Sequence, residues 1–284
     1  MNRYYDRQIN AGIQLRLKKH LSTEELRALH VRNPALHFLV VLQQTVLLVG
    51  LAWLAARFST PWVWVPAGIL QGFVVLSFII LLHEQVHNAI FTRRRPFLER
   101  LLGLYYALPS SISATQFKRW HLDHHSELGT EPDDPKRAYL SPKRNSRWYK
   151  ALYMTAGLFV IYSIASAKAA KAYPRELRRT MVIERAVNTL IHLGLAVVLW
   201  KTGGPELWLR VHAFPMFVTF PFAFTLNRLG QHYMQDASDP AKWSTLVKSH
   251  WFTDWIFLWS NLHLEHHYLV RVPLHARAAL QRKL

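Results

Sequence analysis

Two stretches of this chain run for 22 residues each without a charged side chain, Ala35 to Ala56 and Pro61 to Leu82. As helices rising about 1.5 Å per residue, each is about 33 Å long, enough to cross the hydrocarbon of a bilayer. Two later blocks are less clean. Met181 to Trp200 holds Glu184 and Arg185 near its start, and Leu207 to Leu226 holds Arg210, His212, Pro215 and Pro221. Only Lys201 to Glu206, with Gly203, Gly204 and Pro205, separates them, so they read as a helical hairpin. The expected fold is an all-α integral membrane protein, a single domain over residues 1–284. Four transmembrane helices in two hairpins are expected at 35–56, 61–82, 181–200 and 207–226, with a cytoplasmic helical cap built from 83–180 and 227–284.

Charge placement agrees with that layout. The chain has 35 Lys and Arg against 17 Asp and Glu, a net charge of +18. With the N-terminus in the cytoplasm, only Arg57, Lys201 and Arg210 fall at outer loops or edges, with Arg185 at an inner edge. Nearly all other basic residues lie on the inner side, as the positive-inside rule requires. The excess of positive charge therefore marks topology, and no reader motif accompanies it that would call for a nucleic acid. Trp62, Trp64, Trp200 and Trp208 fit an outer interfacial belt. The first 33 residues are polar, so no cleavable signal peptide is expected. The expected location is the inner (cytoplasmic) membrane, with both termini in the cytoplasm. Without cysteine, the chain holds no disulfide, no Cys-ligated zinc, no iron-sulfur cluster and no thiol nucleophile.

Three histidine clusters lie on the inner side. They are His83-Glu84-Gln85-Val86-His87, His121-Leu122-Asp123-His124-His125 and His263-Leu264-Glu265-His266-His267, and they hold eight of the 16 histidines. On a helix, positions i, i+3 and i+4 share a face, so each cluster can point its imidazoles at one place. Neutral imidazole suits iron, copper, nickel or zinc, and eight such ligands exceed the needs of one tetrahedral ion. Two ions is the economical count. Glu84, Asp123 and Glu265, one acid per cluster, are candidates to accept the second ring N–H of a liganding histidine and fix its tautomer. The isolated histidines His20, His30, His37, His192, His212, His250 and His275 read as ordinary hydrogen-bonded residues. Two other classes compete. His83 to His87 matches the H-E-x-x-H signature of zinc metalloproteases, but that reading leaves six clustered histidines unexplained. A metal transporter would place its ligands within the spans, whereas these lie just outside them.

The pattern H-x3-H, H-x2-H-H, H-x2-H-H on the cytoplasmic side of a four-span chain resembles the membrane fatty-acid desaturase and hydroxylase superfamily, from about Leu36 to His267. That resemblance implies two iron ions, replaceable by zinc, with O2 as co-substrate. It implies ligation by His83, His87, His121, His124, His125, His263, His266 and His267. Arg228-Leu229-Gly230-Gln231-His232 is similar to the family's R-x3-E-H element, which adds His232 to the ligand set, with Gln231 where Glu is usual. Asn227 and Asn261 are alternative sources of a water-mediated contact. Glu127 to Pro135, with Asp133-Asp134-Pro135, also looks like the family's and reads as a loop returning to the site.

The implied activity is oxidation of an unactivated C–H bond in a lipid or fatty-acyl chain. Desaturation is expected first, then hydroxylation or oxidative decarboxylation. All clusters must meet on one side, so the number of crossings between any two is even. Ala151 to Ala167, 17 residues, is therefore expected to be interfacial or re-entrant, as is Leu101 to Ala114. With no cysteine and no length for a haem domain, the electron donor is expected to be a separate protein, a ferredoxin or small haem protein. Arg93, Arg94, Arg95, Lys118, Arg119, Lys143, Arg144 and Arg147 are its expected docking charges.

Overall fold

A computed structural model describes residues 7–129, 133–141, 146–232, 235–236 and 238–284. Lys143, Arg144 and part of the Glu127 to Pro135 loop lie outside the described residues. Thirteen α-helices and several short 3-10 and π turns make up the described fold, and no strand occurs among the described residues. They are α1 (Arg7–His20), α2 (Thr23–Leu29), α3 (Pro34–Arg57), α4 (Pro61–Val86), α5 (Pro96–Ala107), α6 (Ala114–Ser126), α7 (Arg147–Tyr153), α8 (Gly157–Ala170), α9 (Arg175–Trp208), α10 (Phe220–His232), α11 (Trp251–Ile256), α12 (His263–Tyr268) and α13 (Arg277–Gln281).

Three helical tracts are long and apolar enough to cross a membrane: Thr23–Arg57, Pro61–Val86 and Arg175–His232. Helix α3 starts where the Asn33 side chain accepts the Leu36 N–H at 3.0 Å and Pro34 supplies a preset φ. Helix α4 is the hub. Its side chains from Val74 to Val86 are all buried, whereas α3 and α9 present rows of exposed apolar residues, Leu39, Leu42, Val46 and Val49 on one and Val187, Leu190, Val197 and Val198 on the other. Such rows suit contact with lipid tails rather than water.

The 58-residue tract is not straight. Gly203 and Gly204 leave helical geometry, Gly204 at a φ of +70°, and the chain doubles back. His192 Nδ1 therefore sits 3.0 Å from His212 Nε2, whereas a continuous helix would hold residues 20 apart at about 30 Å. The returning limb departs from α-geometry, with π turns at Leu209–Ala213 and Pro215–Thr219. Pro215 has no N–H for the Val211 carbonyl four residues back, and that carbonyl accepts instead from Gln71 Nε2 at 3.3 Å. The limb lies close on α4, where Gly68 meets the Phe214 ring and the Thr219 hydroxyl donates to the Gly68 carbonyl at 2.8 Å.

The expected span ends shift in informative ways. Helix α4 runs on to Val86, so the first histidine cluster begins on the helix itself. The Ala151 to Ala167 run is broken between α7 and α8, which meet at 91°. Helix α5 folds back along α4, with Tyr105 edge-on to Phe78 at 5.7 Å, and the chain then turns at Ser111 in a left-handed conformation. Ser113 caps α6, accepting from Gln116 N at 3.0 Å. The polar N-terminal segment is not a free arm: Leu17, Leu21 and Leu29 are buried with Leu269, Val272 and Leu280 behind the third cluster.

A Cβ at Gly72 would overlap Thr219 Oγ1 and lie 2.7 Å from the Phe220 backbone nitrogen, while one at Gly50 would meet nothing within 4 Å. Gly72→Ala should therefore cost about 1–3 kcal/mol through overpacking, and Gly50→Ala should be neutral or slightly stabilising. Thermal unfolding of the two variants in detergent checks this, with a lowered midpoint expected for Gly72→Ala alone.

Candidate metal centre

Four helix ends deliver the histidines. His83 lies in the last turn of α4 and His87 caps it, α6 carries His121, His124 and His125, α10 ends on His232, and α12 carries His263, His266 and His267. All nine imidazoles named from the sequence are brought together. They form two adjoining groups: His83, His87, His121, His125 and His266 in one, and His124, His232 and His267 in the other. His263 joins the second, its ring centroid 4.7 Å from that of His232 and 4.8 Å from that of His267.

The second and third clusters are each divided rather than aimed at one place. On α6, His121 and His125 face the first group and His124 the second. On α12 the assignment is reversed, with His266 in the first group and His263 and His267 beside the second. In both helices the i and i+4 rings serve one group and the i+3 ring the other, because successive positions differ by about 100° around the helix axis.

Ring nitrogens meet nitrogen to nitrogen. His87 Nε2 is 2.6 Å from His121 Nε2, His125 Nε2 is 2.9 Å from His121 Nε2, His266 Nε2 is 3.0 Å from His125 Nε2, and His263 Nε2 is 3.1 Å from His232 Nε2. Ligands about 2.1 Å from one ion at right angles stand about 3 Å apart, so this spacing fits a ligand set, and His121 Nε2 and His125 Nε2 each face two other ring nitrogens, which one N–H or one lone pair cannot serve. His83 Nε2, His124 Nε2 and His267 Nε2 are buried with no hydrogen-bond partner, as lone pairs kept for a cation would be. The donor set is all nitrogen and borderline-soft, which fits iron or zinc and not calcium or magnesium.

Burial keeps these rings neutral. Desolvation, reinforced by neighbouring cations and histidines, holds His121, His125, His263, His266 and His267 well below the ordinary value of 6.5 and pushes His87 to about 3. Two of the cations touch the site: Lys136 Nζ lies 3.0 Å from His121 Nδ1, and Arg277 Nη2 lies 3.1 Å from His266 Nδ1. Their own burial lowers Lys136 to about 7 and Arg277 to about 10.

The acids are placed differently from the expectation. Glu84 is buried and accepts the Leu274 N–H at 3.4 Å; Asp123 binds the Tyr173 hydroxyl at 2.8 Å and Arg119 at 3.1 Å; Glu265 accepts from Gln281 at 2.5 Å. None of the three is hydrogen-bonded to an imidazole among the described residues. The carboxylate that does meet a ligand ring is Asp134, 1% exposed, with Oδ2 2.8 Å from His124 Nδ1. Backbone N–H groups of Gly129 and Lys136 also donate to Asp134, at 3.0 and 2.9 Å. Burial pushes the Asp134 carboxyl up, but His124 and these donors outweigh it and hold it below the carboxylate range. Burial lowers His124 to about 4 despite Asp134, so the contact is a hydrogen bond from a neutral ring to a carboxylate. The acid of each cluster projects at a different angle from its histidines, whereas the Asp133-Asp134-Pro135 loop returns to the site. That loop was the signal in the sequence; Arg277 and Lys136 carried none.

Glu84, the general base of the metalloprotease reading, is thus tied to backbone beside Arg277, and His83 and His87 share their group with three further rings. Asn227 donates to Ser260 Oγ at 2.8 Å and lines a cavity beside His263, while Asn261 donates to Asp254 at 2.7 Å. Gln231 donates to the Ser260 carbonyl at 3.0 Å and stands at the same cavity. That cavity, about 190 Å³, runs from His83, His121 and His263 between apolar walls that include Leu76, Ile79 and Phe224.

A family model described as fatty acid desaturase matches residues 59–284. The Homo sapiens protein sphingolipid delta(4)-desaturase/C4-monooxygenase DES2 is 24% identical over 257 residues, covering 87% of this chain and 73% of that protein. The Bos taurus protein of the same description is 22% identical over 231 residues, covering 78% and 65%. Sphingolipid delta(4)-desaturase DES1 of Drosophila melanogaster is 39% identical over 80 residues, 27% of this chain and 24% of its own length.

Asp134→Asn should weaken metal retention by about 10- to 100-fold, the usual loss when a ligand ring loses its carboxylate, and Asp123→Asn should not. Elemental analysis after dialysis against a chelator separates the two. Acid acts on the whole set. Below pH 6.5 the unfolded chain takes up protons that the buried rings refuse, so stability falls as pH drops from about 6.5 towards the depressed values near 3–4. Unfolding midpoints measured across that range should decline steadily, with metal released in parallel.

Proposed function

Since the chain belongs to the fatty acid desaturase family, we infer that it oxidises an unactivated C–H bond of a lipid or fatty-acyl chain, using two iron ions and O2. The observation that carries the reading is nine neutral imidazoles in two adjoining groups, three of which, His83, His121 and His263, line an apolar cavity. When bound, the iron pair would activate O2 for C–H oxidation, chemistry that no side chain can supply. His83, His87, His121, His125 and His266 would hold one ion, and His124, His232, His263 and His267 the other, with zinc able to take the same nitrogens.

The remaining work falls to the chain. Leu76, Ile79, Ile80 and Phe224 exclude water and align an acyl chain, and the amides of Asn227 and Gln231 stand where it would approach His263. Asp134 keeps the His124 ring oriented by accepting from Nδ1. Desaturation is the first reading. The names of two relatives join a desaturase to a C4-monooxygenase, which favours hydroxylation as the second; oxidative decarboxylation comes third.

In this reading the helices at 35–56, 61–82, 181–200 and 207–226 are four spans in two hairpins, with both termini and the metal centre at the cytoplasmic face. The reversal at Gly203–Gly204 supports the second hairpin, and the right-angle break between α7 and α8 supports a segment that does not cross. Reducing O2 to water takes four electrons, of which desaturation supplies two, so a separate ferredoxin or small haem protein is the proposed donor. Arg93, Arg94, Arg95, Lys118, Arg119 and Arg147 are its proposed docking charges.

Mass spectrometry of lipids from a host with and without the protein tests the reaction. Loss of two hydrogens is expected, while a gain of one oxygen selects hydroxylation and a shortened alkene decarboxylation. His263→Ala should abolish turnover; retained activity in that variant would rule out the two-iron site. Reporters after Lys168 and Leu284 should read as cytoplasmic and one after Lys201 as external, and an external Lys168 fusion would break the four-span topology.

A further inference from the structure

The far end of the cavity carries a charge that the oxidation chemistry does not use. Near the start of α6, where Glu184 binds Ser113 and Thr115 about 10 Å along that helix from His121, the lining includes Ser163 on α8 and Arg185 and Thr189 on α9. Arg185 has one polar contact among the described residues, from Nη2 to Ser163 Oγ at 3.4 Å. Its neighbour Glu184 is not available to it, being held by Arg100, by Ser113 Oγ at 2.6 Å and by the Thr115 N–H and hydroxyl at 3.0 and 2.7 Å. The charged side chains lining the cavity are Lys136, Arg185 and Arg228, with no carboxylate among them. Lys136 is engaged with His121, and the Arg228 guanidinium lies 6.0 Å from the Phe224 ring centroid.

The surroundings of this end are apolar. Val160 and Ile164 on α8 and Val182 on α9 are exposed beside it, and Ser163 and Thr189 are themselves exposed. Exposed apolar side chains therefore flank the gap between the two helices, with Arg185 at the inner edge of the expected span. An arginine without a counter-charge at such a place costs free energy unless an anion meets it, and a guanidinium suits the oxygens of a carboxylate or phosphate.

We propose that the gap between α8 and α9 is the lateral mouth of the cavity and that Arg185, with Ser163 and Thr189, binds the anionic head of an amphiphile whose chain runs inward to the histidines. The proposal rests on the reading of the cavity as an acyl-chain channel, and it narrows the substrate to a lipid ending in a carboxylate or phosphate. Arg185 is thereby a specificity-determining residue, distant in sequence from every histidine cluster. It selects by charge, while the apolar walls accept the chain whatever its head.

Equilibrium binding of palmitate, hexadecyl phosphate and hexadecanol to the purified full-length protein, in a phospholipid-free non-ionic detergent, tests this without turnover. Wild type should bind at least one of the two anions about 10- to 100-fold tighter than the alcohol, the factor a charge-assisted hydrogen bond provides. Preference for only one anion identifies the head as carboxylate or phosphate. Arg185→Gln should bring anion binding to the level of the alcohol, leave alcohol binding and metal content unchanged, and Arg185→Lys should restore part of the preference. An anion preference that survives Arg185→Gln, or none in wild type, overturns the proposal. In the latter case, loss of co-purifying anionic phospholipid in Arg185→Gln would reassign the residue to the surrounding bilayer. Failure of iron binding or of C–H oxidation with the anion preference intact would instead remove the functional reading and leave the head-group site standing.

Discussion

Nine imidazoles sharing one buried volume cannot satisfy each other. A neutral ring offers one donor and one acceptor, and here nitrogens approach nitrogens at 2.6 to 3.1 Å while others are buried with no partner at all. Protonation would relieve some lone pairs but is opposed by burial and by Lys136 and Arg277. A bound cation would meet the demand, and only this arrangement of helices would let one do so. The ends of α4 and α10 and the bodies of α6 and α12 must converge within a few ångströms, and the connections between them must return to the same side.

That requirement explains features of the fold that have no local cause. Helix α5 turns back along α4 instead of continuing outward, so that α6 starts close to where α4 ends. The reversal at Gly204 brings α10 back to the level of His83, and the π turns near Pro215 let the returning limb lie against Gly68 and Gly72. The break between α7 and α8 does the same service. In the proposed topology a straight spanning helix there would leave the third cluster on the far side of the membrane, whereas the right-angle bend wraps the segment round the cavity, where Leu158, Phe159 and Tyr162 form part of its wall.

The cavity connects the two kinds of surface that the chain displays. Its inner end is polar and buried, framed by histidines and by Asn227 and Gln231; its outer end lies between exposed apolar helices. A substrate with a long apolar body and a polar head fits both conditions, and a water-soluble metabolite fits neither.

Residue type and spacing alone revealed the helical membrane architecture, the eight clustered imidazoles and the turn at Gly203–Gly204, because uncharged runs of 22 residues and repeated H-x2-H-H patterns have few physical uses; His232 came only from the family resemblance. Spacing could not reveal how α6 and α12 divide their rings between two groups, since i, i+3 and i+4 lie near one face and only the neighbouring helices decide which side each ring meets. Nor could it identify the supporting groups. Asp123, Glu84 and Glu265 sit beside the histidines in sequence yet bind Tyr173, the Leu274 backbone and Gln281, while Asp134, Lys136 and Arg277 arrive from loops and a later helix. The pairing of Glu184 with Arg100, which leaves Arg185 without a carboxylate among the described residues, was equally invisible, because it joins residues 84 apart. Periodicity is a local property of the backbone and can be read along the chain; which side chain satisfies a buried charge or lone pair depends on distance in space, and only the folded structure sets that.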